Sequence, residues 1–138
     1  MRYLGIDPGG KRLGLALGDD VTGLASPLEV VPYGGRNHAA RFIAEAMERY
    51  GAQCVVIGLP TTSEGSQTPG CARSHALEAH LSALGIEVAL QREYLTTNEA
   101  RRRARTSGRK PGRPVDDIAA QVILEEYLEG RRTRNATR

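Results

Sequence analysis

Aromatic side chains are scarce in this 138-residue chain, which has five Tyr, one Phe and no Trp. A surface that stacks successive bases needs several ring faces in one groove, so an aromatic single-strand platform is excluded. Cysteine is almost absent, with Cys54 opening an apolar run and Cys71 in a polar loop or helix start. Two such positions make neither a disulfide framework nor a paired metal motif, and Cys54 reads as a buried hydrophobe. No stretch reaches the roughly 18 uninterrupted apolar residues of a membrane span, and the N-terminus enters a strand pattern without a signal-peptide core. A cytoplasmic protein with no membrane partner is expected. His38, His75 and His80 lack metal-ligand spacing, Ser63 and Ser66 have no paired base, and Gly9-Gly10-Lys11 lacks the spacing of a P-loop.

The length suits one domain with a single core, expected over residues 1–130. Hydrophobic residues make up 40% and charged residues 25%, the balance of a folded soluble protein rather than a disordered one. The charge is unevenly spread. Residues 1–100 carry 8 Lys/Arg against 11 Asp/Glu, whereas residues 101–138 carry 11 against 5, balances of −3 and +6. Arg101, Arg102, Arg103, Arg105, Arg109, Lys110 and Arg113 fall within one short segment that contains no acid. Such a local excess attracts a polyanion, and contact with a phosphate backbone is expected there; a solvated helix face is the alternative.

Three strands are predicted at the N-terminus, over Arg2–Asp7, Leu13–Leu17 and Leu24–Val31, joined by Gly-rich turns as an antiparallel meander. Phe42, Ile43, Ala46, Met47 and Tyr50 then recur at helical spacing from Asn37 onward, and Gly51 stands where a C-terminal cap belongs. The continuous apolar run Cys54–Gly58 reads as a strand buried on both faces, typically a parallel one. A polar loop from Thr61 to Gly70 leads to a helix bearing Ala76, Leu77, Leu81 and Leu84, and a strand follows over Glu87–Gln91. Thr96 and Glu99 have the spacing of a capping box, so a helix is predicted from there to about Ser107. Two Pro and two Gly make Gly108–Pro114 a basic loop, expected to be mobile without a ligand. A last helix carries Ile118, Ala119, Val122, Ile123 and Tyr127 and is expected to stop at Gly130, with residues 131–138 as a basic, disordered tail. The sum is an α/β fold, a mixed five-stranded sheet covered by helices.

Three acids fall at the ends of elements. Asp7 directly follows the apolar run Tyr3-Leu4-Gly5-Ile6 and precedes Pro8-Gly9-Gly10, so its charge demands compensation in a nearly buried place. Glu93 lies just past the strand Glu87–Gln91, and Asp116 opens the last helix beside Asp117. Adjacent strand ends bring the first two together, and a helix crossing that edge presents Asp116 in its first turn, where the helix dipole favours the charged form. A cluster of hard oxygen ligands suits Mg²⁺ or Mn²⁺ and in-line phosphoryl chemistry. The plainer alternative makes Asp7 and Asp116 turn or helix caps and Glu93 an exposed residue.

Taken in order, Gly5-Ile6-Asp7-Pro8-Gly9, Lys11-Arg12, Gly14, Gly58-Leu59-Pro60, Glu93 with Leu95-Thr96-Thr97, Glu99-Ala100, Val115-Asp116 and Ala119-Ala120 with Ile123-Leu124 resemble the YqgF (RuvX) family over nearly the whole chain. The resemblance implies an RNase H-like fold and a metal-dependent nuclease related to the RuvC Holliday junction resolvases. Members are described as nucleases that trim the 5′ end of the 16S rRNA precursor, and also as junction resolvases. Carried over by position, the catalytic and metal-binding acids are Asp7, Glu93 and Asp116, with Lys11 and Arg12 beside them. The basic residues Arg101, Arg102, Arg105, Arg109, Lys110 and Arg113 then contact substrate phosphates. Arg92 and Tyr94 depart from the family's usual neighbours of Glu93, and Thr61-Thr62-Ser63-Glu64 departs in the following loop. In RuvC enzymes two acids lie a turn apart on the last helix, whereas Asp116 and Asp117 are adjacent.

The reading is a divalent-metal-dependent endonuclease of structured nucleic acid, RNA favoured over DNA, with the pre-ribosomal particle as partner and a monomer or homodimer as the unit. A DNA junction resolvase is the alternative within that class. A non-catalytic RNA- or ribosome-binding module is a second, and a sugar-kinase-like ATPase a third, disfavoured by the short chain.

Overall fold

Side-chain alternation in the first strand sets the two faces of the sheet. In β1 (Arg2–Pro8), Leu4 and Ile6 are buried on one side, and Tyr3 and Gly5 on the other. The computed structural model describes residues 1–60, 69–93 and 96–136, with side chains over 1–60, 70–92 and 99–133. β1 pairs antiparallel with β2 (Arg12–Asp19), which pairs antiparallel with β3 (Ala25–Pro32). On its other edge β1 pairs parallel with β4 (Cys54–Pro60), and β4 pairs parallel with β5 (Val88–Glu93). The order β3-β2-β1-β4-β5 is the mixed sheet that the sequence pattern predicts.

Helices cover both faces. α1 (Arg36–Tyr50) and α2 (Pro69–Ala83) bury Ala39, Ile43, Leu77 and Leu81 against Leu4, Ile6, Leu13, Leu15, Val55 and Ile57. Gly51, left-handed at φ 69°, ends α1 where the pattern places the cap. α4 (Asp116–Ala136) lays Ala120, Ile123, Leu124 and Leu128 on the opposite face, over Tyr3, Ala16, Cys54 and Val56. α3 (Thr96–Thr106) rests on α4 through Ala100 and Ala104 against Ile118 and Ala119. Among the described residues no helix is long and apolar enough to cross a membrane.

α4 comes unusually close to the sheet because glycines floor its track. A Cβ on Gly5 would stand 2.8 Å from the Ala120 carbonyl oxygen and 2.9 Å from Leu124 Cβ. One on Gly18 would stand 2.7 Å from Leu124 Cδ2, and one on Gly14 would overlap the Asp116 carbonyl. These three glycines and Ala16 alternate along the α4 face, so the seat of the helix is written in two strands.

Several boundaries differ from the sequence pattern, each for a tertiary reason. β5 runs on past Gln91 to Glu93, because the parallel ladder with β4 continues to the Pro60–Glu93 pair. α2 begins at Pro69, well before its apolar stripe. Ser74 Oγ donates to the Gly58 carbonyl at 2.7 Å and Cys71 Sγ to the Pro60 carbonyl at 2.8 Å, which pins the first turns to the end of β4. Cys71 therefore lies at the helix start, the second of the two places its context allows, and is buried there. The helix stop expected at Gly130, with a disordered tail beyond it, gives way to a helix running on to Ala136. Arg131 reaches back over the Tyr3 ring, 5.9 Å from its centroid, so the extension has a partner in β1. The Thr61–Gly70 loop lies outside the described residues as far as position 68, and the capping contacts of Thr96 lie outside the described side chains.

The close seat of α4 predicts a sharp contrast between two glycines. Gly5→Ala forces a methyl against backbone and should cost about 1–3 kcal/mol by overpacking. Gly10→Ala, whose Cβ would meet only the end of the Arg73 side chain at 3.6 Å, should stay within about 0.5 kcal/mol. Urea midpoints of the two variants measure the difference.

Candidate active site

The C-terminal end of β1 and the first turn of α4 meet at one corner of the sheet. Asp7, half-buried, stands opposite Gly14 in the β1–β2 ladder, and the backbone of Asp116 presses on Gly14. Asp116 Oδ1 lies 3.8 Å from where a Gly9 Cβ would be, so this carboxylate hangs over the turn that follows Asp7. The sheet register puts Glu93 at the end of β5, beside Pro60 and two strands from β1, in the same pleat row as Ala89. Its side chain lies outside the described residues. Among the described residues no three His, Cys, Asp or Glu side chains converge as a metal group.

The charge of Asp116 is met by Arg12, whose Nε donates to Oδ2 at 2.7 Å. Arg12 is half exposed and the carboxylate largely covered, so the guanidinium can leave more easily than the acid can. Asp117 faces a different partner. It accepts two hydrogen bonds from Arg109, at 2.8 and 3.1 Å, and a third from the Ile118 amide at 2.9 Å. That fork raises the pKa of Arg109 still further. Arg109 also donates to the Pro114 carbonyl at 3.0 Å, so one side chain ties both ends of the segment Gly108–Pro114 to α4. The loop expected to be mobile is thus held by a bidentate ion pair in this structure.

The basic segment divides into two kinds of cation. Arg102 and Arg103 grip Glu99, holding its carboxyl down to about 2, and Arg103 also reaches Glu125 at 2.5 Å. Arg101, Arg105, Lys110 and Arg113 form no ion pair among the described residues. These four, with Arg12 and Arg109, line a cleft of about 370 Å³ that opens onto Asp116. Of the expected phosphate-binding residues, the cleft gathers all but Lys11, exposed in the β1–β2 turn, and Arg102, held by Glu99.

One cation near the acids is not signalled by the sequence pattern. Arg73, in α2, donates from Nη1 to the Pro8 carbonyl at 3.3 Å, and so abuts the Asp7 turn from the face opposite α4. It stands alone among helical residues, and no local period connects it to β1. Cys54, by contrast, is the buried hydrophobe its context predicts, with burial pushing its thiol up to about 11.

A five-stranded sheet in the order β3-β2-β1-β4-β5, with helices on both faces and β4 and β5 parallel to β1, is an RNase H-like architecture. Two solved structures share it. RuvC of Thermus thermophilus in complex with Holliday junction substrate aligns with a TM-score of 0.59 at 19% identity, over 96% of each chain. The fowlpox virus resolvase with Holliday junction DNA aligns at 0.55 and 14% identity, over 94% of this chain and 98% of the other. The chain belongs to the RuvX family, described as Holliday junction resolvase, whose pattern matches residues 1–130. Relatives named "Putative pre-16S rRNA nuclease" occur in Anaeromyxobacter sp. (strain Fw109-5), 40% identical over 95% of this chain and 98% of the relative, and in Moorella thermoacetica, 37% identical over 94% and 95%.

The Arg109–Asp117 clamp carries its own prediction. Asp117→Ala removes a charged, largely buried acceptor and should lower stability by about 1–3 kcal/mol. Limited trypsin digestion should then cut faster after Arg109, the one basic residue of this loop not followed by proline; an unchanged cleavage rate would show that the clamp does not hold the loop.

Proposed function

We propose that the protein is a divalent-metal-dependent endonuclease that processes the 5′ end of pre-16S rRNA within the pre-ribosomal particle, in the cytoplasm. The observation that carries this reading is the acid corner at the mouth of a basic cleft. Asp116 is pressed over Gly14 opposite Asp7, and cations without acid partners among the described residues lead to it. The names of the relatives, which match over nearly their whole length, support the RNA substrate.

Asp7, Glu93 and Asp116 are the residues that would hold the cation. The fit rests on the donor chemistry and its placement: all three offer hard carboxylate oxygens, which suit Mg²⁺ or Mn²⁺, at one end of the sheet. When bound there, such an ion supplies positive charge at the scissile phosphate and makes the attacking water more acidic. The remaining work belongs to the chain. Arg101, Arg105, Lys110 and Arg113 draw in and orient the phosphodiester backbone, lowering the entropic cost of reaching attack geometry. Arg12, already at the acid corner, can exchange its bond to Asp116 for a substrate phosphate oxygen. The Arg109–Asp117 clamp keeps the cleft wall in place while this happens.

Cleavage of a four-way DNA junction is the second reading, favoured by the family's description. It requires a dimer, because two strands must be cut symmetrically. A side-by-side assay with Mn²⁺ or Mg²⁺ on precursor rRNA and on a four-way DNA junction separates the two. Asp7→Asn should reduce cleavage more than about 100-fold, beyond the usual cost of losing an outer-shell partner, while folding and most nucleic-acid binding persist. Wild-type cleavage by that variant contradicts the proposal, and a non-catalytic module would show no metal-dependent cleavage of either substrate.

A further inference from the structure

The basic cleft approaches the acid corner from the α4 side only, through Arg12, α3 and the Gly108–Pro114 segment. A polymer lying along the cleft and continuing past that corner in the same direction passes over the turn Pro8-Gly9-Gly10 toward α2. There the turn itself carries the exposed Lys11, and α2 adds a second cation, Arg73. Arg73 Nη1 lies 3.3 Å from the Pro8 carbonyl, and Nη2 lies 3.6 Å from where a Gly10 Cβ would be.

Three features make Arg73 more than an incidental surface residue. It forms no ion pair among the described residues, unlike Arg12, Arg102, Arg103 and Arg109. Among the described residues its side chain makes one hydrogen bond, to a backbone carbonyl, which uses one of its five N–H donors. Its backbone is rigidly placed, since its neighbours Cys71 and Ser74 are both buried and bonded to the end of β4. A guanidinium on such a base is preorganised, and its fork matches two oxygens of a phosphate.

We infer that Arg73 is a positioning residue that binds a backbone phosphate on the far side of the scissile bond from the basic cleft. The substrate strand is then held at both ends, by the cleft cations before the acid corner and by Arg73 beyond it. This inference rests on the nuclease reading, and it extends the substrate footprint across the sheet edge to α2.

The test measures binding of precursor rRNA and of a four-way DNA junction as a function of salt, with Ca²⁺ in place of the catalytic ion, for the full chain and for Arg73→Ala and Arg73→Lys. Loss of one phosphate contact should reduce the slope of log K against log salt by about 0.7–0.9 in Arg73→Ala. Arg73→Lys should restore most of that slope, because it restores the charge. Shortening the substrate on the side beyond the cleavage point should erase the difference between wild type and Arg73→Ala, whereas shortening it on the cleft side should preserve it. An unchanged salt slope in Arg73→Ala overturns the inference, even if affinity falls, since a purely structural role would lower affinity without releasing fewer counterions. An equal effect with both shortened substrates overturns it as well. Failure of the wild-type chain to bind either substrate would instead overturn the nuclease reading itself.

Discussion

The seat of α4 on a floor of glycines is the constraint on which the rest of the structure depends. Gly5, Gly14 and Gly18 remove the side chains that would hold the helix away, and Leu124 and the carbonyls of Ala120 and Asp116 occupy the vacated space. The hydrophobic gain comes from Ile123, Leu124 and Leu128 closing over Tyr3, Ala16, Cys54 and Val56. The functional consequence follows at the helix start. A helix lifted by one methyl layer would carry Asp116 away from Gly14 and from Asp7 across the ladder, so packing along α4 sets the spacing of the acid corner. Stability and site geometry are here one interaction read at two ends of the same helix.

Electrostatics then sorts the cations by role. The largely covered carboxylate of Asp116 has its charge met by Arg12. Glu99, Glu125 and Asp117 take up Arg102, Arg103 and Arg109, which fixes α3 to α4 and the basic segment to the helix start. What remains uncommitted among the described residues is the set facing the cleft. A block of positive charge that looks uniform in sequence therefore divides in space into a paired scaffold and a set of cations lining one cleft. The scaffold pairs are solvent-touched and individually modest, but they leave Arg101, Arg105, Lys110 and Arg113 lining one cleft.

How much was legible beforehand depends on the range of the signal. Asp7 is readable locally, since an acid between a buried apolar run and a Gly-rich turn needs compensation whatever the fold. The β4 strand is readable for the same reason, its continuous apolar run marking burial on both faces. The role of Gly14 is not, because its meaning depends on a helix a hundred residues later in the chain. Arg73 is likewise silent in sequence, as its proximity to Pro8 arises from α2 being bonded to β4 and β4 pairing with β1. The extra turns of α4 beyond Gly130 escape the pattern because their support is the ring of Tyr3, at the other end of the chain. The sequence pattern puts Glu93 beyond the strand because apolar alternation fades at Gln91, whereas the ladder partner at Pro60 carries β5 to Glu93.

The account's central claim is that Asp7, Glu93 and Asp116 form one cation site at the corner built by α4. Anomalous diffraction from crystals grown with Mn²⁺ tests it most directly. The account predicts a peak within ligand distance of carboxylate oxygens from all three residues, with Arg12 displaced from Asp116. A fully occupied Mn²⁺ peak elsewhere on the molecule, with Arg12 still bonded to Asp116 and no density at this corner, would contradict it.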